Sequence, residues 1–354
     1  MRELIVAGSR VVIEPGALDR LGDLVSGGPR VHRAAIVTDD NVGPLYAARA
    51  QTALQTLSPV VVTIPAGESH KTRETWARVT DELLMHGCGR DTLVFALGGG
   101  VVGDLAGFVA ATYLRGVPVV QVPTSLLAMI DASIGGKTGV DVPAGKNLVG
   151  AFHAPTLVAI DPDLLGTLPA RELRSGLAEA LKHGAIADAG YFGRVAADVA
   201  ALRDPDRAQS LPMRQLVSGS VAIKADVVNS DPLENGRRKI LNFGHTLGHA
   251  IEAASGYALR HGEAIAVGMV LESKLGERVG TTAKGTAARI ERAVIEAGLP
   301  ATTSLDPDSV LAGTYSDKKK LGGRVEFALP AELGKFGRWT TAVDDADVLA
   351  VLRS

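Results

Sequence analysis

Residues 97–108 read LGGGVVGDLAGF, and they close an apolar run that begins at Thr92. An apolar run, a glycine turn and helix-forming residues, in that order, describe a strand feeding a helix. Gly98, Gly100 and Gly103 satisfy the G-x-G-x-x-G spacing, in which bare backbone amides approach a pyrophosphate at a helix N-terminus. The match is partial. The motif falls on the fourth or fifth strand instead of the first, and the next strand, VPVVQVPT at 117–124, ends without a ribose-binding acid. By itself the motif fits tight strand-to-helix packing as well as it fits a nucleotide.

On either side of it, short β-branched runs recur at 4–6, 11–13, 34–38, 60–64, 119–122 and 156–160, with helix-length segments such as 45–57 and 72–86 between several of them. This alternation predicts an α/β unit with a mainly parallel sheet, whose ligands sit at the carboxyl ends of strands. Two more strand ends carry polar loops, TDDN at 38–41 and PAGESHK at 65–71. After about Pro169 the sequence turns to long Ala- and Leu-rich segments, at 171–186, 213–228, 245–255, 263–278 and 286–297. The fold class expected is therefore an α/β N-terminal nucleotide-binding domain, 1–165, and a mainly α-helical C-terminal domain, 166–354. A strand or small hairpin is expected at 324–329.

Composition narrows the function. Over 354 residues, 37 basic and 39 acidic side chains leave a net charge of −2, which argues against a nucleic-acid partner. Cys88 is the single cysteine, so neither a disulfide framework nor a thiolate metal cage is available and a cytoplasmic setting is expected. The N-terminal run is too short for a secretory signal, and the apolar stretch 93–114 is interrupted by Asp104 and glycines, unlike a membrane span.

Three further segments carry chemistry. SIGGKTGVDVPAGKN, 133–147, sets Lys137 and Lys146 in glycine-rich loops with Asp131 just upstream, an arrangement suited to phosphate or carboxylate. NFGHTLGHAIE, 242–252, followed by HGEA from His261, puts three of the eight histidines within 17 residues. His245 and His249 stand i and i+4 on one helix face, a metal-binding spacing, though spacing does not say which two bind metal and which one moves protons. With no cysteine cluster, nitrogen and oxygen donors fit catalytic zinc. GLAEALKHG, 176–184, places Glu179 and Lys182 three apart among apolar neighbours, either an exposed ion pair or a carboxylate completing a zinc set. Arg115, Lys224, Arg238 and DKKK at 317–320 read individually as solvated charge.

Taken together, GGGVVGDLAGFVAATYLRGV, VPTSLLAMIDASIGGKTGVDVPAGKNLVGAFH, LPARELRSGLAEALKHG and LNFGHTLGHAIE with HGEA closely resemble the 3-dehydroquinate synthases, sugar phosphate cyclases, in order and spacing from about Thr38 to about Leu329. The resemblance implies bound NAD, a Zn2+ site (with Co2+ as a substitute) and usually a homodimer. Carried over residue by residue, it makes Glu179, His245 and His261 the metal ligands and His249 a group for proton relay and phosphate contact. NAD would contact Asp39, Asn41, Glu68, Lys71, the turn Gly99, Gly100, Val101, Val102, Gly103 and Asp104, then Thr124 and Ser125, with Lys137 and Lys146 near the same site. Arg115, Asp131, Lys137, Asn147, Lys182, Lys224, Arg238, Asn242 and one of Lys318 or Lys319 would cage the substrate.

The family reaction converts 3-deoxy-D-arabino-heptulosonate 7-phosphate to 3-dehydroquinate and phosphate, in the shikimate pathway of aromatic amino acid biosynthesis. It runs through transient oxidation by NAD, phosphate elimination, re-reduction and intramolecular aldol closure. Two departures stand out: Thr124-Ser125 where the family often has two threonines, and Asp141-Val142 where it often has Asn-His. The nearest rival reading is another cyclase, such as 2-epi-5-epi-valiolone synthase. Arg238, Asn242 and the lysines after Asp317 keep the dehydroquinate synthase pattern. A simple NAD- and metal-dependent alcohol dehydrogenase is the rival of another class, and it would not need the lysine cage.

Overall fold

The structure, a computed structural model, describes residues 2–28, 31–256, 258–315, 320–321 and 324–354. The chain divides into two compact units, Met1–Leu168 and Pro169–Ser354.

The first unit is built on strands β1 (Arg2–Val6), β2 (Ser9–Ile13), β3 (Arg33–Asp39), β4 (Val60–Ile64), β5 (Thr92–Gly98), β6 (Val119–Pro123), β7 (Lys137–Val142), β8 (Gly145–Phe152) and β9 (Leu157–Ile160). Helices α1 (Leu21–Val25), α2 (Gly43–Ala53), α3 (Arg73–Met85) and α4 (Gly100–Thr112) connect them. Seven strands form one sheet in the order β1-β2-β9-β6-β5-β3-β4, parallel except for the β1/β2 pair. Every residue of β5 is buried, as expected of a central parallel strand covered on both faces. Val94 and Ala96 of that strand pack with Leu105, Ala106 and Val109 of α4 in the core.

The glycines after β5 are packing devices as well as a turn. A Cβ on Gly103 would fall 2.8 Å from Gln121 Oε1, and one on Gly107 would fall 2.4 Å from Thr138 Cγ2, so α4 lies close on β6 and β7. Of residues 133–147, read above as glycine-rich loops, those from Lys137 onward instead enter the antiparallel hairpin β7/β8, which runs on to Phe152. The reason is local: a Cβ on Gly150 would meet Thr138 O at 2.1 Å, so these glycines serve strand-to-strand approach and not a loop. Lys137 opens β7 and Lys146 lies in β8.

The second unit contains α5 (Ala170–Ala187), α6 (Ala189–Leu202), α7 (Leu211–Ser230), α8 (His245–Ala254), α9 (His261–Arg278), α10 (Thr286–Glu296), α11 (Pro307–Thr314) and α12 (Asp345–Leu352). A three-stranded sheet, β10 (Lys320–Leu321), β11 (Arg324–Phe327) and β12 (Thr341–Ala342), accompanies them. Leu247, Ile251, Ala264, Val267, Leu271, Val310, Phe327 and Leu329 belong to one buried apolar cluster of this unit. Helix α6, which the sequence reading did not single out, starts where Asp188 accepts the Tyr191 N–H at 2.8 Å, an N-cap that separates it from α5. No helix among the described residues is long and apolar enough to cross a membrane.

Candidate active-site residues

In the first unit the carboxyl ends of β3, β4, β5 and β6 carry the residues singled out for nucleotide binding. Asp39 ends β3, and its Oδ1 accepts the N–H groups of Asn41 (3.0 Å) and Val42 (2.8 Å), which sets the turn into α2. Thr124 N–H donates to Gly98 O at 2.9 Å, tying the end of β6 to that of β5. Gly99 precedes α4 with no side-chain cap, and a Cβ there would meet Ser125 Oγ at 3.6 Å as its nearest neighbour.

Lys71 is the centre of this region and is only 3% exposed. Its ammonium reaches Glu68 Oε1 and Asn147 Oδ1, each at 2.8 Å, Asp104 Oδ2 at 3.3 Å and Asp141 Oδ1 at 3.7 Å. Lys146 Nζ lies 3.6 Å from the same Glu68 oxygen. Burial alone would push the Lys71 ammonium down, but Asp104, Glu68 and Asp141 outweigh it and hold it above its ordinary range. Burial drives Asp104 up to about 6 against the pull of Lys71, and raises Asp141 as well. Glu68 moves the other way, because Lys71 and Lys146 outweigh its burial. Asp141 entered the sequence reading only as a departure from the family pattern. The hairpin brings it to Lys71, whose carbonyl accepts the Asp141 N–H at 2.7 Å.

Arg115 is not brought to this cluster. It is exposed in a turn where Leu114 (φ 49°) and Arg115 (φ 69°) are both left-handed. That turn follows the C-terminus of α4, so Arg115 lies about 20 Å of helix away from Gly99. Asp131 sits on the short turn Ala128–Ala132, and Lys137 is exposed at the start of β7.

In the second unit the segment holding Glu179 and Lys182 lies inside α5. Glu179 is 0% and Lys182 1% exposed, so the exposed ion-pair reading is excluded. The Lys182 ammonium pairs directly with Glu179 Oε2. Glu179 Oε1 faces His261 Nε2 at 3.4 Å and His245 Nε2 at 3.6 Å. One donor atom from each of Glu179, His245 and His261 lies within 4.8 Å of the other two. The histidines are the first residues of α8 and α9, and glycines let those ends come close: a Cβ on Gly262 would fall 2.1 Å from Ser175 O of α5.

Each histidine has its second ring nitrogen turned to an acceptor. His245 Nδ1 faces Phe243 O at 3.1 Å, and His261 Nδ1 faces Glu252 Oε2 at 3.7 Å. Burial, with the Lys182 charge, holds His245 well below its ordinary range. Burial is outweighed at His261 by Glu179 and Glu252, which raise it to about 9. A carboxylate and two imidazole nitrogens aimed at one point, with acceptors behind both rings, fit a divalent ion of the zinc type. His249 is exposed, and its ring centroid lies 5.2 Å from that of His245 and 6.0 Å from that of His261. Glu252 was not singled out from sequence, although its spacing from His245 and His249 puts it on their helix face.

Lys224 and Arg238 are buried, contrary to their reading as solvated charge. Arg238 Nη1 donates to Pro232 O at 2.5 Å, and Asn242 Nδ2 donates to Glu234 Oε1 at 2.8 Å. Asp231 holds this loop by accepting the N–H groups of Asn235, Gly236 and Arg238. Lys318 and Lys319 lie outside the described residues.

The fold is that of the sugar phosphate cyclases. A 2-deoxy-scyllo-inosose synthase, solved with carbaglucose-6-phosphate, NAD+ and Co2+, superposes with a TM-score of 0.88 at 25% identity over 99% of each chain. A 2-epi-5-epi-valiolone synthase from Streptomyces hygroscopicus subsp. jinggangensis, with NAD+ and Zn2+ bound, gives 0.86 at 30% identity, covering 100% of this chain and 98% of the other. Family models narrow the class: the 3-dehydroquinate synthase N-terminal model matches residues 61–175 and the C-terminal model residues 176–320. The 3-dehydroquinate synthase of Desulforamulus reducens is 43% identical over 97% of this chain and 96% of its own. The chain belongs to the 3-dehydroquinate synthase family.

Proposed function

We propose that the chain is a carbon-oxygen lyase converting 3-deoxy-D-arabino-heptulosonate 7-phosphate to 3-dehydroquinate and phosphate. In this reading it works in the cytoplasm as a homodimer, in the shikimate pathway that supplies aromatic amino acids. Residues 1–165 form the NAD-binding domain and 166–354 the metal- and substrate-binding domain. The observation that carries the reading is the convergence of Glu179, His245 and His261 within 4.8 Å in a chain of this family.

Glu179, His245 and His261 would hold Zn2+, with Co2+ as a substitute, and Asp39, Asn41, Glu68, Lys71, the Gly99–Asp104 turn, Thr124, Ser125 and Lys146 would hold NAD. When bound, the ion polarises substrate hydroxyls and NAD takes and returns a hydride. The chain's own residues supply orientation and charge. Lys182, fixed by Glu179, is a pre-set cation whose position needs no reorganisation during reaction. Lys224 and Arg238 bring buried positive charge to the anionic groups of the substrate, and Arg238 is oriented by Pro232 O. Asn242, steadied by Glu234, offers a neutral hydrogen-bonding group, with one of Lys318 or Lys319 as a further cation. His249, exposed beside both ligand rings, is the group to move a proton at its imidazole nitrogen.

The test is phosphate release by the purified protein with trace NAD and zinc, comparing 3-deoxy-D-arabino-heptulosonate 7-phosphate with sedoheptulose 7-phosphate. Release from the first, with 3-dehydroquinate formed and no net NADH, is the expected result. Release from the second alone moves the assignment to a sister cyclase, and stoichiometric NADH moves it to a simple dehydrogenase.

A further inference from the structure

Helix α8 begins with His245 but has no cap of its own. Its N-cap is Gly244, with φ +79°, and a Cβ there would fall 2.5 Å from Met269 Cγ and 3.0 Å from Met269 N. The serine, threonine or aspartate that normally satisfies the first amides of a helix is therefore excluded at this position. The structure supplies the cap from another helix. Glu272 of α9 is fully buried, and its Oε2 accepts the Gly244 N–H at 2.7 Å while its Oε1 accepts the Leu247 N–H at 3.0 Å. These are the N-cap amide and the third helical amide, the two donors that a capping box satisfies with two separate side chains.

Glycines allow the grip. A Cβ on Gly268 would lie 2.0 Å from Gly244 O, and one on Gly248 would lie 2.7 Å from Ile265 Cδ1, so the backbones of α8 and α9 touch along this seam. Helix α9 is capped locally, where Glu263 accepts the Arg260 N–H at 2.8 Å, but Glu252 of α8 faces the ring of His261, its first residue. Each helix thus starts on a histidine of the donor set and meets a carboxylate from the other. We infer that Glu272 is a positioning residue that fixes the start of α8, and with it His245, for metal binding. The inference rests on the ligand reading proposed above.

The test is the affinity of the metal-free full chain for Zn2+, measured by competition with a coloured chelator, together with the melting midpoint of the metal-free form. Glu272→Gln keeps the volume but presents an amide nitrogen to one of the two backbone donors. Its zinc Kd should rise about tenfold or more, the range seen when supporting groups of metal ligands are removed. Ser273→Ala is the control. It alters the residue beside Glu272 but removes only a hydroxyl bonded within α9, Ser273 Oγ to Met269 O at 2.7 Å, and should leave zinc Kd within about twofold of the parent. Glu272→Asp retains the charge but reaches one donor at most, and its zinc Kd should fall between those of the parent and Glu272→Gln, which keeps the test decisive if the glutamine variant fails to fold. Parent-like zinc affinity in the Glu272 variants, or equal weakening by Ser273→Ala, overturns the inference. His245→Ala separates the two layers: if it binds zinc like the parent the ligand reading falls, whereas loss of zinc there with parent-like Glu272 variants removes only the positioning role.

Discussion

Lys71 and Lys182 are both almost completely buried and both ion-paired, yet their surroundings are inverted. Around Lys71 one ammonium is shared by Glu68, Asp104 and Asp141, with Asn147 as a neutral acceptor. Around Glu179 one carboxylate is shared by Lys182 and two imidazoles. The first cluster is rich in acids that can accept protons, so it tolerates change by shifting their ionisation. In the second, nitrogen partners face each oxygen of Glu179 and Glu252 stands behind one of the imidazoles, so removing Glu179 takes away the carboxylate with which the buried Lys182 pairs. A carboxylate surrounded by nitrogen donors is the arrangement that recruits a metal, while an ammonium surrounded by carboxylates fixes loops.

The sharpest way to break this comparison is Glu179→Ala. It should abolish zinc binding and activity, and should cost about 3–5 kcal/mol in denaturant unfolding of the metal-free protein, the range for breaking a buried pair from one side. A cost below about 1 kcal/mol would mean that Lys182 finds a replacement and that the two clusters do not differ as described. Lys71→Met comes next. With the ammonium gone, Glu68, Asp104 and Asp141 must take up protons or repel one another, so the loss should be about 3 kcal/mol near pH 8 and smaller near pH 5, with weaker NAD binding by fluorescence titration. The smallest effect is expected for Asp104→Asn. Asp104 titrates near 6 in the fold and near 3.8 in the unfolded chain, so the parent keeps the benefit of its protonated form below about 4 and loses it as pH rises through 6. The melting midpoint of Asp104→Asn relative to the parent should therefore climb between pH 5 and pH 7.5. A flat difference would show that Lys71 fully compensates the burial of Asp104.

Much of the α/β unit was legible because its signals are local: buried β-branched runs, a glycine turn and helix-length connections place β3 to β6 almost to the residue. The β7/β8 hairpin was not legible, because Gly139 and Gly150 look the same in sequence whether they loosen a loop or let two strands touch. The same ambiguity covered the α4 glycines, where Gly103 and Gly107 turned out to serve packing against Gln121 and Thr138. In the second unit the histidine cluster was visible, but spacing alone did not say which two of His245, His249 and His261 bind metal and which one moves protons. The family resemblance proposed a ligand set, and the fold gathers those same three donors while leaving His249 exposed. Glu272 was invisible, since an acid inside an apolar helix 25 residues beyond Leu247 gives no hint that it caps another helix. Burial of Lys224 and Arg238 was equally unreadable from single charged letters.

The reach of Lys71 along the chain has a consequence for how the molecule assembles. Glu179 and Lys182 are three residues apart and meet as soon as α5 coils, whereas Lys71 bonds Asn147 across 76 residues and Asp104 across 33. Closing such long loops is entropically slow, and these contacts are gained only once the hairpin has docked on α4. The loop at the end of β4 therefore matures late in folding, and a dinucleotide held there would act as a latch on the last-formed part of the first unit.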